Sequence, residues 1–275
     1  MADMYNDYYG FTESPFNITP DPRFLFFSER HREAFSHLLF GIQQRKGFIQ
    51  ITGEVGSGKT TLCRALLEKL GDNYKTSLIL NPCLSLDQLL AAILKEFGIE
   101  IKKGQRDRVS MLETLNEFLL QQVIEGFEVV LIIDEAQDMS FELLEQVRLL
   151  SNLETDDRKL LQIVLIGQPE LRDKINDKRL RQLRQRITVR YHLTPLSRRE
   201  MHEYIRHRIH VCGGNGQPTF SSWATRKIYG YSKGIPRLVN AVCDKALLCG
   251  FVAGVERLNA RHIRRAIAAL EGDFA

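Results

Sequence analysis

No stretch of this 275-residue chain is apolar enough for long enough to read as a membrane span. Its uninterrupted aliphatic runs, such as Val129 to Ile133, fall far short of the ~20 residues that a helix needs to cross a bilayer. The N-terminus carries acidic and aromatic residues where a secretory leader would be basic and then apolar, so a cytoplasmic chain with no direct membrane span is expected. Cysteine is sparse and unpatterned. Cys63, Cys83, Cys212, Cys243 and Cys249 are odd in number and form no CxxC or Cys/His ligand spacing, which excludes a disulfide framework and a zinc site and suggests reduced core thiols. No low-complexity tract or internal repeat is present, so neither disorder nor a solenoid is expected. Neither sign of charge dominates: 38 basic against 34 acidic side chains leave a net +4, which neither requires nor forbids an anionic partner. A nucleophile elbow and a dinucleotide fingerprint are also missing, which sets aside acyl-transfer and nicotinamide chemistry.

What the chain does contain is Gly53-Glu54-Val55-Gly56-Ser57-Gly58-Lys59-Thr60, a full GxxxxGK[ST] pattern between the strand-like Phe48-Ile49-Gln50-Ile51-Thr52 and a helix-like run. Glycines let successive backbone N–H groups turn inward around phosphates, and the following helix adds its unpaired amides and positive dipole end. Lys59 would place a point charge on the β- and γ-phosphates, Thr60 would offer a hydroxyl to Mg²⁺, and Thr61 extends the same helix start. The expected ligands are therefore ATP or ADP with Mg²⁺.

An aromatic- and proline-marked start (Tyr8, Tyr9, Pro15, Phe16, Pro20, Pro22) leads into a helical pattern through Ala34, Leu38, Leu39 and Ile42, ending near Gly47. Strands are expected at 77–80, 129–133, 161–166 and 187–193, separated by helices near 86–97, 110–125 and 141–150. Strand and helix alternate as in βαβ units, and continuous aliphatic runs such as Val-Val-Leu-Ile-Ile suit parallel strands buried on both faces. Beyond Pro195 only helical patterns remain, at 199–211, 222–231, 236–251 and 259–270. The fold expected is α/β, a parallel P-loop sheet flanked by helices, followed by a small all-helical lid. Its parts are an N-terminal linker and lead-in helix (1–47), a nucleotide-binding domain (48–195) and the lid (196–275).

The remaining candidates form one constellation of phosphate chemistry. The strand ending in Asp134-Glu135 would supply a carboxylate for Mg²⁺ (Asp134) and one to polarise the attacking water (Glu135). Gln168 follows the strand 161–166, at the sheet edge where ligands of open α/β sheets collect. It would sense the γ-phosphate or the water, or else be solvated or cap the next helix. In the arginine-dense run 178–187, Arg186 is the first candidate for a finger inserted into a neighbour's site and Arg184 the alternate; the same run also suits a solvated helix face or nucleic-acid phosphates. Arg237 follows Pro236 on the first turn of a helix and would reach the nucleotide phosphates, the other reading being a surface salt bridge. Phe16, Ile18 and Pro236 are candidate walls of an adenine pocket, or core.

With these residues assembled, the chain resembles the AAA+ ATPases. In particular, Tyr8-Tyr9-Gly10-Phe11, the stretch from Pro15 to Leu25, His31-Arg32-Glu33-Ala34, Asp134-Glu135-Ala136-Gln137, Leu165-Ile166-Gly167-Gln168-Pro169-Glu170-Leu171 and Gly234-Ile235-Pro236-Arg237 resemble the general secretion pathway A (ExeA-type) ATPases along nearly the whole chain. The resemblance implies a hexameric, ring-like ATPase that helps assemble a type II secretion or pilus machine and is recruited to the inner membrane by a partner there. Many members continue into a transmembrane helix and a peptidoglycan-binding domain. The sequence shows neither, so it is expected to be a shortened form or one of the short relatives similar to mannose-sensitive haemagglutinin pilus ATPases. Gln168 departs from the asparagine or threonine usual in AAA+ proteins at large. The rival is a DNA-binding ATPase resembling transposition target selectors, with Arg257, Arg261, His262, Arg264 and Arg265 as its basic footprint. A helicase is disfavoured, because no second motor sheet could follow the last strand.

Overall fold

The computed structural model describes residues 2–19, 21–101, 106–155 and 158–272; Pro20, part of the N-terminal signature, lies outside the described residues. In chain order the elements are α1 (Ala2–Tyr9), α2 (Glu29–Gln43), β1 (Phe48–Gly53), α3 (Lys59–Leu70), β2 (Tyr74–Ile79), α4 (Leu86–Glu96), α5 (Arg108–Ile124), β3 (Glu128–Ile133), α6 (Phe141–Leu150), β4 (Gln162–Gly167), α7 (Pro169–Asn176), α8 (Arg181–Arg186), β5 (Ile187–Leu193), α9 (Arg198–Val211), β6 (Thr219–Phe220), α10 (Ser222–Ser232), α11 (Pro236–Val252), β7 (Arg257–Leu258) and α12 (Ala260–Glu271). The chain divides into an α/β unit, Arg32–Gly53 with Leu62–Leu193, and a helical unit, Met1–His31 with Glu54–Thr61 and Thr194–Ala275.

The α/β unit is built on a parallel sheet of order β2-β3-β4-β1-β5. Of its three inner strands, β1 and β4 are buried at every residue and β3 at every residue but Glu128, as two-sided packing in a parallel sheet requires. The outer strands β2 and β5 mix buried with solvent-facing positions. That explains why β2 starts at Tyr74 rather than at the expected Ser77: Tyr74-Lys75-Thr76 lack the aliphatic run that marks an inner strand. Leu89, Leu90, Ile93 and Leu94 of α4, Met111, Leu115 and Leu119 of α5, and Leu144 and Val147 of α6 join the sheet residues in one core. Side-chain oxygens start these helices: Ser85 and Gln88 form a reciprocal capping box, and Asp107 and Ser140 each accept a backbone N–H in the first turn. Parallel order puts the carboxyl ends of β1, β3 and β4 on one edge, where Gly53, Asp134 and Gln168 leave the sheet.

In the helical unit, α9 to α12 close on a core that includes Met201, Ile205, Val239, Val242, Ala246, Leu247 and Ile263. The region is not free of strands, since β6 and β7 form a short parallel pair; two residues per strand are too few to leave a periodic signal. Tyr5, Tyr9, Phe11, Phe16 and Phe24 are buried in this same core. Tyr5 Oη donates to Asp244 Oδ1 at 2.6 Å, and Tyr9 Oη lies 3.2 Å from the carbonyls of Leu247 and Val255. Arg208 is itself buried: its guanidinium donates to the carbonyls of Pro15 and Asn17 and lies over the Phe24 ring, 4.4 Å from the centroid. A charge taken out of water survives only with such partners. Cys63, Cys212 and Cys243 are core thiols as expected, whereas Cys83 is exposed and Cys249 half-buried.

Gly234, between α10 and α11, has φ +83°, and a Cβ there would stand 1.9 Å from the Leu196 carbonyl oxygen. The Gly234 carbonyl in turn accepts the Leu196 N–H at 3.0 Å, so the two segments cannot separate to make room. Gly234→Ala is expected to destabilise the chain by at least ~2 kcal/mol, combining left-handed backbone strain with a direct clash. A lowered midpoint in thermal unfolding would show it, and an unchanged midpoint would mean that the contact yields freely.

Candidate nucleotide site

In the helical unit, the phosphate loop leaves a set of donors unused. Gly56 and Gly58 both take positive φ, +75° and +97°, a backbone course that side chains resist. The Ser57 N–H donates to the Glu54 carbonyl at 3.1 Å, and Lys59 Nζ donates to the same oxygen at 3.0 Å. The N–H groups of Val55, Gly56 and Gly58 have no hydrogen-bond partner among the described residues, and the buried Ser57 Oγ has none either. Unpaired amides directly ahead of the first turn of α3 make a concave donor set for an anion. Thr60 and Thr61 stand half-buried in that first turn.

The loop's carbonyls are engaged instead. Gly56 O accepts the Arg237 N–H at 3.2 Å from the start of α11, and a Cβ at Gly56 would meet Arg237 Cβ at 2.3 Å. Arg237 therefore touches the loop through its backbone, while its side chain is exposed and forms no ion pair among the described residues. Pro236 occupies the first turn of α11, where its missing N–H costs nothing. Phe16 does not wall a pocket: at 1% exposure it is spent on the helical core, whereas Ile18 is 57% exposed.

In the α/β unit, Asp134 is buried, and its Oδ1 accepts the Glu135 N–H at 2.9 Å. Glu135 takes the left-handed conformation, φ 51°, which for a residue with a side chain costs strain and turns the carboxylate off the strand direction. Glu135 Oε2 accepts hydrogen bonds from Gln137 Nε2 at 2.8 Å and Gln168 Nε2 at 3.2 Å. Gln137 Oε1 in turn accepts the Gln168 N–H at 3.0 Å, closing a ring of amides around the carboxylate. Gln168 sits at the N-cap position of α7 yet makes no capping bond, so its side chain serves Glu135 and not the helix. Gln137, quoted in the sequence only as part of the family-like segment, had no role assigned to it there. A Cβ on Gly167 would come within 2.7 Å of Gln137 Oε1, so the glycine makes room for this amide.

Arg186 ends α8, half-buried, and donates from Nη1 to Ser151 Oγ at 2.6 Å; Arg184 Nη1 donates to the Asn176 carbonyl at 3.3 Å. Along α12, Arg261, Arg264 and Arg265 are exposed, as is Arg257 on β7. His262 leaves that basic face, because it is buried and its Nδ1 accepts the Asn259 N–H in a capping box.

Residues 42–175 match the family model described as an AAA domain. Over 255 residues, 93% of the chain, the sequence is 46% identical to general secretion pathway protein A of Aeromonas hydrophila, and the chain spans 46% of that relative's length. Among solved structures, Cdc6p of Pyrobaculum aerophilum aligns with TM-score 0.69 at 15% identity, covering 90% of this chain and 70% of that one. The ORC2 protein of Aeropyrum pernix, solved as ADPNP–ADP complexes, aligns with TM-score 0.64 at 20% identity, covering 88% and 67%. At such identities the structures speak for the fold alone, an α/β P-loop AAA+ fold with an added helical region. The family model and the sequence relative place the chain as an AAA+ ATPase domain closely related to general secretion pathway protein A.

Proposed function

We propose that this domain binds and hydrolyses ATP and that its turnover serves assembly of a type II secretion or pilus machine. The observation that carries the reading is the phosphate loop, with its unpaired N–H groups ahead of α3 and its carbonyls engaged elsewhere. Gly53 to Thr61 would cradle the phosphates, with Lys59 neutralising the β- and γ-oxygens. Thr60 and Asp134 would hold Mg²⁺, which supplies charge neutralisation at the phosphates. Glu135 orients the attacking water and accepts its proton, and Gln168 links that carboxylate to the state of the γ-phosphate. Arg237 follows the nucleotide from the helical unit, and Ile18 and Pro236 are its adenine-facing candidates.

Arg186 is assigned to the site of a neighbouring subunit in a ring-like hexamer, with Arg184 as alternate. Arg186→Ala should leave nucleotide affinity nearly unchanged and remove the gain in turnover on assembly, a loss on the order of 10³-fold where an arginine finger operates. Mixing it with Glu135→Gln subunits tests the sharing: activity that fails to recover in mixed rings would place Arg186 in its own subunit's site. The identity with general secretion pathway protein A supports a role in secretion. The location proposed with it is cytoplasmic, with recruitment by an inner-membrane partner; among the described residues no helix is long and apolar enough to cross a membrane.

The deciding experiment is ATP turnover against protein concentration with light-scattering mass in parallel, repeated with duplex DNA. Turnover that rises with assembly and ignores DNA supports the secretion reading. Activity that appears only with DNA, in a salt-sensitive manner, would move the function to the exposed arginines of α12 and overturn it.

A further inference from the structure

His31 is 3% exposed and Ser28 2% exposed, and neither has a place in the phosphate chemistry above. The His31 Nε2 lies 3.1 Å from the Ser57 carbonyl oxygen, and Nδ1 lies 2.7 Å from Ser28 Oγ. A carbonyl only accepts, so Nε2 carries the hydrogen, Nδ1 is the acceptor, and the Ser28 hydroxyl donates to it. Ser28 Oγ also accepts the His31 N–H at 3.2 Å, which fixes the hydroxyl rotor. The tautomer is thus set by partners on both sides of the ring. Burial pushes the imidazole below its ordinary value, with the Ser57 carbonyl and the Glu200 carboxylate acting the other way, so the neutral ring is the working form at pH 7.

The bonded atom matters because of what shares its peptide plane. In a trans peptide the C=O and the next N–H point in opposite directions, so holding the Ser57 carbonyl aims the Gly58 N–H. That N–H is one of the unpaired donors of the loop. Gly58, at φ +97°, has no Cβ to oppose rotation of this peptide, so its orientation depends on the bonds that hold it. Turned over, it would present a carbonyl oxygen to the anion in place of a donor. Glycine is also what admits the ring, since a Cβ at Gly58 would stand 3.2 Å from His31 Nε2. The neighbouring peptide is held by other means, with Gly56 O on the Arg237 N–H and the Ser57 N–H on Glu54 O.

We propose that His31, oriented by Ser28, is a positioning residue for the phosphate loop, holding the Ser57–Gly58 peptide so that its N–H faces the bound phosphates. This rests on the loop's assignment as the ATP site and adds a determinant outside it. The role predicts a split between binding and chemistry, because the loop donors act on bound ATP while the water is handled by Glu135.

His31→Phe, His31→Gln and Ser28→Ala are to be compared with the unaltered chain by ATP calorimetry and steady-state turnover, at a temperature where each is folded by circular dichroism. His31→Phe should raise the ATP dissociation constant and KM roughly five- to tenfold, the worth of one hydrogen bond, with kcat within about twofold. His31→Gln, which keeps a donor on a flexible arm, should recover part of the loss, and Ser28→Ala should show a smaller rise. If His31→Phe does not fold, the other two variants still decide. Unchanged dissociation constants in the folded variants, or a loss that the glutamine does not relieve, would leave His31 as a core residue only and overturn the proposal. Failure of the nucleotide reading is separate: in that case the unaltered chain itself binds no ATP.

Discussion

Replacing Lys59 by alanine is expected to remove measurable ATP affinity, a fall on the order of 10²- to 10³-fold from the loss of charge-assisted bonds to phosphate oxygens. Lys59 is 5% exposed, with its ammonium against the Glu54 carbonyl, so the charge already lies in the loop. Truncation does not strip that carbonyl, which keeps the Ser57 N–H, so the loop should hold its shape and the loss should fall on binding. Isothermal calorimetry with ATP decides it. A dissociation constant equal to that of the unaltered chain would remove Lys59, and with it the phosphate-loop reading. An arginine in its place is not expected to restore affinity fully, because a planar fork cannot follow the compact ammonium into the same space.

How much of this was legible in the sequence depends on the span over which each feature is encoded. The phosphate loop and its flanking β1 and α3 are specified within one local stretch, where glycine spacing, a lysine and a hydroxyl each carry a physical requirement. The inner strands were legible because double-sided burial writes a continuous aliphatic run; β2 was only half legible because an outer strand does not. The N-terminal aromatics gave a clear mark but no address. Tyr5, Tyr9 and Phe16 find their core across most of the chain length, and the guanidinium that meets the Pro15 carbonyl is 193 residues away in Arg208. No pattern of local spacing encodes such a contact. Within the site, Asp134 and Glu135 were legible as acids ending a strand, but the left-handed turn at Glu135 and the role of Gln137 were not. An amide in a turn looks solvated until the fold brings a second amide and a carboxylate to it. His31 was visible only as part of a family-like segment, since its bond to the Ser57 carbonyl spans 26 positions.

Glu135→Gln is expected to retain ATP binding and lower turnover by ~10²- to 10⁴-fold, the range over which a positioned general base accelerates proton transfer. The substitution is nearly isosteric, and the backbone at φ 51° carries the same strain with either side chain, so little stability should be lost. Gln137 Nε2 and Gln168 Nε2 both donate to Glu135 Oε2, and the amide oxygen of a glutamine can still accept from them. What disappears is the negative charge and the capacity to take a proton from water. The kinetic signature is therefore a fall in kcat with the ATP dissociation constant preserved, the reverse of the pattern expected at His31. Single-turnover measurement with saturating protein separates the chemical step from product release. If that step is as fast in Glu135→Gln as in the unaltered chain, the carboxylate is not the base, and the ring of amides around it must serve another purpose. If it slows as expected, the two glutamines hold the base itself, and Gln168 ties its position to the edge of β4, where the γ-phosphate is proposed to be sensed.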